Sequence, residues 1–444
     1  MIQKSQKTYK IITFGCQMNA RDSEKLAGVL EEKGYVEGID DVSSDIVIFN
    51  TCTVRENASN RLYGRVGYLK KSCMENKNKI VGICGCMMQE KDEVETIKKK
   101  YPYVKLIFGT HNIDEFSLYI DRALSEDKRV IEVRDKALGV ERDMPSKRVF
   151  PFKCGVNIMY GCDNFCAYCI VPYVRGRERS RDVKAIIDEI KRDIADGVIE
   201  VMLLGQNVNS YKGKDIDGNI VSFPDLLDRA CKIEGLKRVR FMTSHPKDLS
   251  DELIKVVRGN ENCCKHIHLP VQSGSTHILE MMNRHYTRDS YVDIVDKIRK
   301  EIPDVAITTD IIVGFPGESE DDFEATLSLV KEVKFDSVFT FEYSKRTGTK
   351  AASMENQVDE KVVKDRFERL LKEVESSSRT NIDRYVGRVM DVLVESKDRE
   401  KGKLTGRLSN NYLVHFDGDE SLVGKIVNVK LIKPFGFYFE GKLC

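Results

Sequence analysis

The stretch Gly161-Cys162-Asp163-Asn164-Phe165-Cys166-Ala167-Tyr168-Cys169 carries three cysteines in the spacing C-x3-C-x2-C. Cysteine thiolates hold iron–sulfur clusters, and close spacing lets one loop surround a cluster. Three thiolates leave one iron of a four-iron cubane without a protein ligand, and an open metal position is typical of a reactive site. A structural zinc loop is the alternative. Zinc sites close with four ligands, however, and no fourth Cys or His lies nearby downstream.

The composition bounds the class of protein. The chain has 444 residues, 32% charged and 41% hydrophobic, which predicts two or three globular domains. A net charge of +1 excludes a strongly basic overall field, so any nucleic acid would be held by local patches. The N-terminus lacks the apolar core of a signal peptide, and no apolar run is long enough to span a bilayer. We therefore expect a cytoplasmic protein whose 13 cysteines favour metals over disulfides.

The first third of the chain alternates apolar runs with charged, helical stretches, which predicts a parallel α/β domain. The predicted strands are Tyr9–Phe14, Asp45–Phe49, Lys79–Ile83 and Val104–Phe108. A charged stretch from about Leu124 to Arg148 is predicted to be an irregular linker.

The middle of the chain repeats this alternation, and six strands with helices between them predict an open or partial (β/α) barrel. The predicted strands are Gly155–Tyr160, Glu200–Leu204, Arg238–Thr243, His266–Pro270, Ala306–Val313 and Ser337–Phe341. The predicted helices include Val183–Ala195, Thr287–Glu301, Ser319–Val333 and the long charged Val358–Thr380. Five short strands after it, separated by Gly, Asn and Asp turns, predict a small all-β barrel.

Another set of cysteines lies in the first third of the chain, and we call it the first set because it comes first in the sequence. Cys16, Cys52 and Cys86 each follow a predicted strand directly. Residues just past the ends of parallel strands converge on one crevice, so three thiols could meet there as a cluster site. Ordinary buried cysteines are the alternative. Cys84 competes with Cys86, because strand alternation directs both side chains to the same side.

Three motifs surround these cysteines: Gly15-Cys16-Gln17-Met18-Asn19, Asn50-Thr51-Cys52-Thr53-Val54-Arg55 and Gly85-Cys86-Met87-Met88-Gln89. Together with the C-x3-C-x2-C loop and the run Val171-Pro172-Tyr173-Val174-Arg175-Gly176, they resemble the methylthiotransferase family of the radical S-adenosylmethionine (SAM) superfamily. The similarity continues through His268 to Ser275 and Ile312 to Glu318. It ends in a tail similar to the TRAM domain, a small RNA-binding barrel.

The resemblance implies an α/β protein of three domains: a parallel, flavodoxin-like α/β domain over residues 7–124, a radical SAM partial (β/α)6 barrel over 148–379, and an all-β TRAM barrel over 380–444. It also implies two [4Fe–4S] clusters, with SAM bound at one of them. The radical SAM cluster is expected at Cys162, Cys166 and Cys169. The auxiliary cluster is expected at Cys16, Cys52 and Cys86, with Cys84 as a neighbour.

The family contains three substrate classes. Two act on tRNA, at N6-isopentenyladenosine (dimethylallyladenosine) or at N6-threonylcarbamoyladenosine, and the third acts on an aspartate of a ribosomal protein. The form Gly-Cys-Gln-Met-Asn of the first motif is typical of the isopentenyl class. We therefore expect transfer of a methylthio group to C2 of isopentenyladenosine next to the anticodon. The alternative from another class is a non-catalytic, zinc-stabilised RNA-binding protein.

The expected reaction explains why these cofactors are needed. The C2–H bond of adenine is not acidic enough for a side-chain base, so general acid–base catalysis cannot open it. The resemblance implies that SAM serves both as methyl donor and as source of a 5′-deoxyadenosyl radical. The hard chemistry then belongs to the cofactors, and the protein supplies binding and orientation. A one-electron donor such as a flavodoxin or ferredoxin is implied, and a monomer is the default expectation.

Several polar residues are candidates for SAM contacts. Polar side chains at the carboxyl ends of barrel strands usually face the active site. The candidates are Tyr168 in the cysteine loop, Gln206 and Asn207 after the second barrel strand, Gln272 and Ser273 after the fourth, and Arg175. Basic and aromatic residues of the tail suit single-stranded RNA, although a mixture of core and surface residues looks the same. They are Lys401, Lys403, Arg407, Tyr412, Lys433, Phe435, Phe437 and Tyr438.

Overall fold

A computed structural model of the chain describes residues 6–53, 56–126, 128–140, 143–398 and 402–444. The chain divides into two compact units. The first comprises Met1–Val149, Gly155–Asp163 and Ile170–Arg181, and the second comprises Phe150–Cys154, Asn164–Cys169 and Asp182–Cys444. In the part of the chain just delimited, no helix has both the length and the apolar character needed to cross a membrane.

The first unit is built on a parallel sheet of six strands. They are β1 (Thr8–Thr13), β2 (Val36–Glu37), β3 (Ile46–Thr51), β4 (Ile80–Gly85), β5 (Val104–Phe108) and β6 (Val130–Glu132). Their order is β2-β1-β3-β4-β5-β6, which begins with the flavodoxin-like order. All residues of β3 and β4 are buried, so these central strands read as continuous apolar runs. The four predicted strands are therefore confirmed, and β6 corrects the prediction that residues 124–148 are irregular.

Helices cover both faces of this sheet and separate its core into two apolar clusters. They are α1 (Gln17–Glu32), α2 (Glu56–Tyr68), α3 (Lys70–Glu75), α4 (Lys91–Lys100) and α5 (Phe116–Ser125). One cluster contains Leu26 and Leu30 of α1, and the other contains Leu62 and Val66 of α2. Because α1 and α2 bury apolar faces in different clusters, the sheet is held between two layers of helices.

The cysteine loop lies between short elements. The strand β7 (Lys153–Asn157) begins in the second unit, and the elements that follow it are β8 (Met159–Tyr160), α6 (Val171–Val174) and β9 (Arg179–Ser180). β8 and β9 pair antiparallel in the first unit, so the chain returns on itself around residues 161–178.

The second unit contains the predicted partial barrel. Its further strands are β10 (Glu200–Leu204), β11 (Lys212–Lys214), β12 (Ile220–Ser222), β13 (Arg238–Met242), β14 (His266–His268), β15 (Ala306–Val313) and β16 (Ser337–Glu342). Its helices are α7 (Val183–Ala195), α8 (Phe223–Cys231), α9 (Asp251–Gly259), α10 (Thr276–Met281), α11 (Arg288–Glu301) and α12 (Glu320–Val333). A parallel bridge from Val239 to Cys263 links the pair β10-β13 to the segment that leads into β14, the first strand of the sheet β14-β15-β16. The five predicted barrel strands that lie in this unit therefore follow one another in chain order, as an open barrel requires.

The tail forms a separate closed barrel. After the long helix α13 (Glu360–Ile382), the strands are β17 (Val389–Lys397), β18 (Leu404–Leu408), β19 (Leu413–Phe416), β20 (Ile426–Pro434) and β21 (Tyr438–Leu443). They close in the order β17-β18-β19-β21-β20 around a core that includes Val392, Val414 and Phe439. Alternation of buried and exposed residues along β18 and β19 matches the period of two that predicted them.

Candidate functional site

The first set of cysteines lies along one edge of the parallel sheet. Cys16 follows β1 and precedes α1, Cys52 follows β3, and Cys86 follows β4. These three strands are neighbours in the sheet and run parallel, so the three thiols lie at the same carboxyl edge. The strand order reverses between β1 and β3, and ligands of open α/β sheets bind at such a switch point.

An amide network orders this edge. Cys16 occupies the N-cap position of α1, where a Ser or Asp side chain would usually stand. Asn19, one turn later, accepts a hydrogen bond from the Cys16 thiol (3.5 Å) and donates to the Thr51 carbonyl (2.8 Å) and the Asn50 side chain (3.1 Å). The Asn50 amide donates in return to the Asn19 carbonyl at 2.8 Å. The first two cysteine motifs are therefore joined through buried amides next to Cys16 and Cys52.

Arg175, from the run after the cysteine loop, lies in the same unit beside this set. Its guanidinium donates to Asn19 Oδ1 at 3.1 Å and forms a buried ion pair with Asp22 at 3.0 Å. It also hydrogen-bonds the sulfur of Cys86. The sequence predicts that Arg175 binds a phosphate or the carboxylate of SAM. In the structure its guanidinium pairs with the Asp22 carboxylate.

The thiol of Cys86 lies in an unusual electrostatic environment. Burial raises its pKa to about 11, the positive charge of Arg175 opposes this rise, and the neighbouring thiols of Cys52 and Cys16 add to it. Each of these thiols is therefore close enough to Cys86 to influence its ionisation. A cationic cluster would supply the positive charge that three adjacent thiolates need.

Cys84 is influenced by the charges of Asp22 and Arg175 and by the Cys86 thiol, but it lies in the apolar core. Its side chain packs inside the sheet's core with Leu26 and Ile48, and burial raises its pKa well above the ordinary value. Gly85 separates the two cysteines with φ of +97°, which interrupts the strand alternation and turns Cys86 away from the core. A Cβ at Gly85 would lie 2.4 Å from the Thr51 carbonyl oxygen, so the turn requires glycine.

Within the described ranges, no three His, Cys, Asp or Glu side chains are grouped closely enough to bind one metal ion. Each thiolate of a cubane cluster binds a different iron, so the ligands of a cluster lie farther apart than those of a single ion. The thiols of Cys16, Cys52 and Cys86 are donors whose chemistry fits an iron–sulfur cluster.

The second cysteine set is Cys162, Cys166 and Cys169, and its loop is fixed by backbone hydrogen bonds. In the first unit, the amide of Cys162 donates to the Gly176 carbonyl at 3.1 Å. In the second unit, the amide of Cys169 donates to the Cys166 carbonyl at 2.9 Å, and the amide of Ala167 donates to the Met282 carbonyl at 2.9 Å. The loop conformation is therefore set by its own backbone and by the residues after α10.

Those residues also contact the loop through side chains. Asn283 donates to the carbonyls of Asn164 (3.0 Å) and Phe165 (3.1 Å). The guanidinium of Arg284, which is buried, donates to the sulfur of Cys166 at 3.5 Å and to the Pro270 carbonyl at 2.7 Å. Hydrogen bonds to a ligating sulfur tune an iron–sulfur cluster, so this contact fits a cluster at the loop.

The residues that are expected to contact SAM differ in how deeply they are buried. Tyr168 is half-buried against the apolar cluster of Ile278 and Phe315, and desolvation raises its pKa. Asn207, directly after β10, is 1% exposed and donates to Asp248 at 2.6 Å. Its side-chain oxygen has no hydrogen-bond partner among the described residues, which fits an absent ligand. Gln206, beside it, is half-buried.

Gln272 and Ser273 lie after β14. Gln272 has φ of +71° and bridges by its backbone to β15. Ser273 is fully buried, its hydroxyl is 3.3 Å from that of Thr326, and it accepts from the Ser275 amide at 3.2 Å. The backbone at these two residues is held rigidly, so a ligand at the strand end would meet a fixed surface.

The tail residues separate into core and surface. Tyr412 is buried and donates to Asp336 at 3.1 Å, so it belongs to the core. Phe435 stacks on Tyr438 with ring centroids 5.0 Å apart, and the Lys433 ammonium lies 4.9 Å from the Phe435 ring. Phe437 is 56% exposed. Lys403 pairs with Glu440 and Arg407 with Glu395, while Lys401 lies outside the described residues, as do Val54 and Arg55 of the second motif.

Sequence reasoning missed three residues of these sites. Asn19 and Asp22 lie one and two turns from Cys16 on α1, and only their spacing from the cysteine indicates that they face it. Arg284 follows α10, far from the cysteine loop in sequence, and no local pattern connects it to Cys166.

Comparison with known proteins finds matches to three family profiles. Residues 8–109 match the family described as Uncharacterized protein family UPF0004, residues 156–330 match the radical SAM superfamily, and residues 383–444 match the TRAM domain. Each region corresponds to one of the three predicted architectures, so the expected fold class is confirmed.

The chain is similar over nearly its whole length to proteins named tRNA-2-methylthio-N6-dimethylallyladenosine synthase. The protein of Lachnoclostridium phytofermentans is 54% identical over 438 residues, which cover 98% of this chain and 95% of that one. The protein of Clostridium tetani is 53% identical, with 99% and 97% covered, and that of Thermoanaerobacter pseudethanolicus is 51% identical, with 98% and 92% covered.

Solved structures of low sequence identity share the fold. The radical SAM methyltransferase TsrM of Kitasatospora setae superposes with a TM-score of 0.55 at 15% identity, covering 78% of this chain and 77% of that one. The cobalamin-dependent SAM radical enzyme OxsB superposes with a TM-score of 0.53 at 14% identity, covering 84% of this chain and 56% of that one.

Proposed function

Since the chain belongs to the tRNA-2-methylthio-N6-dimethylallyladenosine synthase family of radical SAM methylthiotransferases, we propose that its two cysteine sets hold two [4Fe–4S] clusters with separate tasks. The enzyme adds a methylthio group to N6-isopentenyladenosine in tRNA by radical SAM chemistry. We propose C2 of the base next to the anticodon as the position modified. We also propose domain bounds of 7–124, 148–379 and 380–444.

In this proposal Cys162, Cys166 and Cys169 hold the cluster to which SAM binds. When bound, cluster and SAM supply the radical that removes the hydrogen from C2 of the base, and SAM also supplies the methyl group. The chain's own residues fix the loop around them, with Asn283 on its carbonyls and Arg284 on the sulfur of Cys166. This rigidity orients the reacting groups, which is the protein's main contribution to such a reaction.

In this proposal Cys16, Cys52 and Cys86 would hold the auxiliary cluster, which would present the sulfur that enters the product. Asn19 orients the thiol of Cys16, and Arg175 supplies a positive charge beside Cys86. Asp22 fixes the Arg175 guanidinium in turn. We assign Arg175 to this set on these contacts, and we assign SAM contacts to Tyr168, Gln206, Asn207, Gln272 and Ser273.

The tail barrel contacts the RNA in this proposal. Lys433, the stacked pair Phe435 and Tyr438, and the exposed Phe437 form an aromatic surface with a cation beside it. Aromatic rings stack on unpaired bases, and cations attract the phosphate backbone. A one-electron donor of the flavodoxin or ferredoxin type completes the system, and we propose that the chain acts as a monomer.

One observation carries the division into two clusters. Three thiols follow three neighbouring strands at one edge of the sheet, in addition to the three in the C-x3-C-x2-C loop. Nucleoside mass spectrometry of bulk tRNA, from cells with and without the gene, tests the substrate. Loss of 2-methylthio-isopentenyladenosine with accumulation of isopentenyladenosine is expected. Loss of the threonylcarbamoyl derivative, or an unchanged tRNA profile, would exclude the isopentenyl substrate in a cell with no second such enzyme.

Alanine variants test the division of tasks. Replacement of Cys162, Cys166 and Cys169 is expected to abolish SAM cleavage. Replacement of Cys16, Cys52 and Cys86 is expected to leave SAM cleavage but no methylthiolation. Iron and acid-labile sulfide, measured on each anaerobically purified variant, should fall by half. If the variant without Cys16, Cys52 and Cys86 keeps the cluster at Cys162, Cys166 and Cys169 yet cleaves no SAM, the division of tasks is contradicted. Colourless protein with stoichiometric zinc would contradict the enzymatic function.

A further inference from the structure

Arg284 is a buried cation whose charge is not balanced by a carboxylate. Its side chain is 6% exposed, and its hydrogen bonds go to Cys166 Sγ, the Pro270 carbonyl and the Tyr286 hydroxyl. In the described part of the chain, no Asp or Glu forms an ion pair with it. An isolated buried charge is costly, so buried cations normally have an anionic partner.

Other buried arginines of the chain have such a partner. Arg175, Arg240 and Arg366 are exposed to a similarly small degree, and their carboxylate partners lie at 3.0, 3.1 and 2.9 Å. Arg284 is different because the acceptor that could carry negative charge is the sulfur of Cys166. A thiolate-ligated cluster at that sulfur would be the missing anion.

The position of Arg284 is rigid, so the charge is fixed relative to the sulfur. Its guanidinium uses Nη1 for the sulfur, Nη2 for the Pro270 carbonyl and Nε for Tyr286, at 3.5, 2.7 and 2.9 Å. The Tyr286 hydroxyl is itself held by the Val271 carbonyl at 2.8 Å. A fixed cation in a region shielded from water acts strongly on a nearby redox group, because the surroundings screen it little.

We propose that Arg284 is a positioning residue that balances the negative charge of the cluster at Cys162, Cys166 and Cys169 and thereby raises its reduction potential. The inference rests on the proposed function, which takes these cysteines as ligands. A [4Fe–4S]2+ core with three thiolates carries one negative charge, and addition of one electron from the external donor doubles it. Net charge and hydrogen bonds to sulfur set the reduction potential, so the fixed cation favours the reduced state.

The two cysteine sets differ in this respect. Arg175, beside Cys86, is neutralised by Asp22, whereas no carboxylate among the described residues pairs with Arg284, beside Cys166. With both clusters bound, this difference would favour an electron at the cluster that binds SAM. The difference gives each set a charge environment suited to its proposed task.

An electron paramagnetic resonance titration tests the proposal. The full-length chain carrying C16A, C52A and C86A retains only the cluster at Cys162, Cys166 and Cys169 in this scheme, and it is titrated with dithionite in the absence of SAM. We expect R284Q to shift the midpoint to more negative potential, with at least a tenfold higher ratio of oxidised to reduced cluster at a given potential, equivalent to about 59 mV for one electron. R284K keeps the charge and should keep the midpoint.

R258Q is the matched control, because it removes one positive charge from an arginine of the same unit that is 55% exposed. Its midpoint should equal that of the parent. An R284Q variant with parental iron content and an unchanged midpoint overturns the proposal. If R284Q binds no iron, R284K provides the test. An R284K variant that contains iron and has the parental midpoint supports the role of charge. An R284K variant without iron, or with a shifted midpoint, overturns the proposal. Failure of the proposed function is distinguishable, since a chain that carries C162A, C166A and C169A together would then keep the cluster expected at these three cysteines.

Discussion

The ion pair of Arg175 and Asp22 is the most deeply buried charge pair beside the first cysteine set, with side chains 4% and 2% exposed. Removal of one partner from such a pair costs about 3–5 kcal/mol, because the other charge stays buried without compensation. We expect Arg175→Met to lower the stability of the first unit by that amount and to reduce its iron content. Urea unfolding of the anaerobically purified variant measures the first effect, and iron analysis measures the second.

The double variant Arg175→Met with Asp22→Asn is the control for this prediction. It removes both charges, so it should cost less than Arg175→Met alone, and the difference measures the coupling between the two residues. If the double variant loses as much stability as Arg175→Met, or the sum of the two single losses, Arg175 contributes packing and not charge.

His111 belongs to the same unit, and burial lowers its pKa to about 4, assisted by the positive charges of Arg179 and Arg175. The folded state therefore keeps this histidine neutral, whereas the unfolded chain binds a proton near pH 6.5. Stability is unaffected by His111 above pH 6.5 and falls as the pH decreases below it. Between pH 7 and pH 5 the expected loss is about 2 kcal/mol.

Thermal unfolding of the parent and of His111→Gln at pH 7 and pH 5 measures this loss. The variant should show a smaller decrease in melting temperature, because it has no proton to bind. The same substitution at His277, which is 61% exposed, should leave the parent's pH dependence in place. A His111→Gln variant with the full decrease would refute the assignment.

At the scale of single residues, the sequence offers the cysteines as candidate ligands but not the residues that contact them. The local spacing C-x3-C-x2-C singles out one set, whereas the positions after strands leave ordinary buried cysteines as an alternative for the other, and both sets stay predictions. Asp22 and Arg284 could not be found in this way, because their partners, Arg175 and Cys166, lie 153 and 118 residues away along the chain. Such long-range pairs depend on tertiary packing, which a single sequence does not display.

At the scale of elements, Gly85 determines where β4 ends and how Cys86 is presented. An alanine there would combine a backbone of φ +97° with a Cβ 2.4 Å from the Thr51 carbonyl oxygen. Gly34, in the turn after α1, has φ of +84° but open space around its Cβ position. Alanine substitutions at these two glycines therefore distinguish the cost of backbone strain from the cost of steric overlap within one unit.

We expect Gly34→Ala to lower the stability of the first unit by about 1 kcal/mol, the cost of a left-handed backbone. Gly85→Ala should cost about 3 kcal/mol or more and should release iron from the first set, because the carbonyl cannot move without displacing β3. Calorimetry and iron analysis of both variants provide the comparison. Equal effects would mean that the contact with Thr51 is unimportant.

The strands and helices that were predicted correctly share strong local signals. Val183–Ala195, Glu200–Leu204 and Ala306–Val313 have the predicted bounds, and Thr287 and Ser319 are caps just before α11 and α12. The strands that were missed have weak signals, because both residues of β2 are exposed and β11 is Lys-Gly-Lys. These strands form only because a neighbouring strand provides hydrogen bonds, so periodicity cannot reveal them.

At the scale of the whole molecule, two buried arginines of β13 hold the tail barrel against the partial barrel within the second unit. Arg238 donates to the carbonyls of Arg407 (2.7 Å) and Asp391 (2.9 Å), and Arg240 donates to those of Ser409 (2.9 Å) and Leu408 (2.7 Å). Both lie close to Glu200, and Arg238 also pairs with Asp391, so two carboxylates balance the two charges. The tail is thus fixed by forked hydrogen bonds, and the surface proposed for RNA has a defined place in this unit.

We expect the double variant Arg238→Lys with Arg240→Lys to loosen the tail without removing charge, because an ammonium cannot reproduce the two forks. Each charge-assisted hydrogen bond that is lost costs about 1.5–3 kcal/mol. Limited proteolysis of the tail should become faster, and the KM for tRNA should rise while kcat is retained. Arg388→Lys is the control, since its fork to Asp304 is exposed and should contribute less than about 1 kcal/mol. If the control loosened the tail as much as the double variant, the tail would be held by its exposed pairs, and the buried arginines of β13 would serve only the core of the partial barrel.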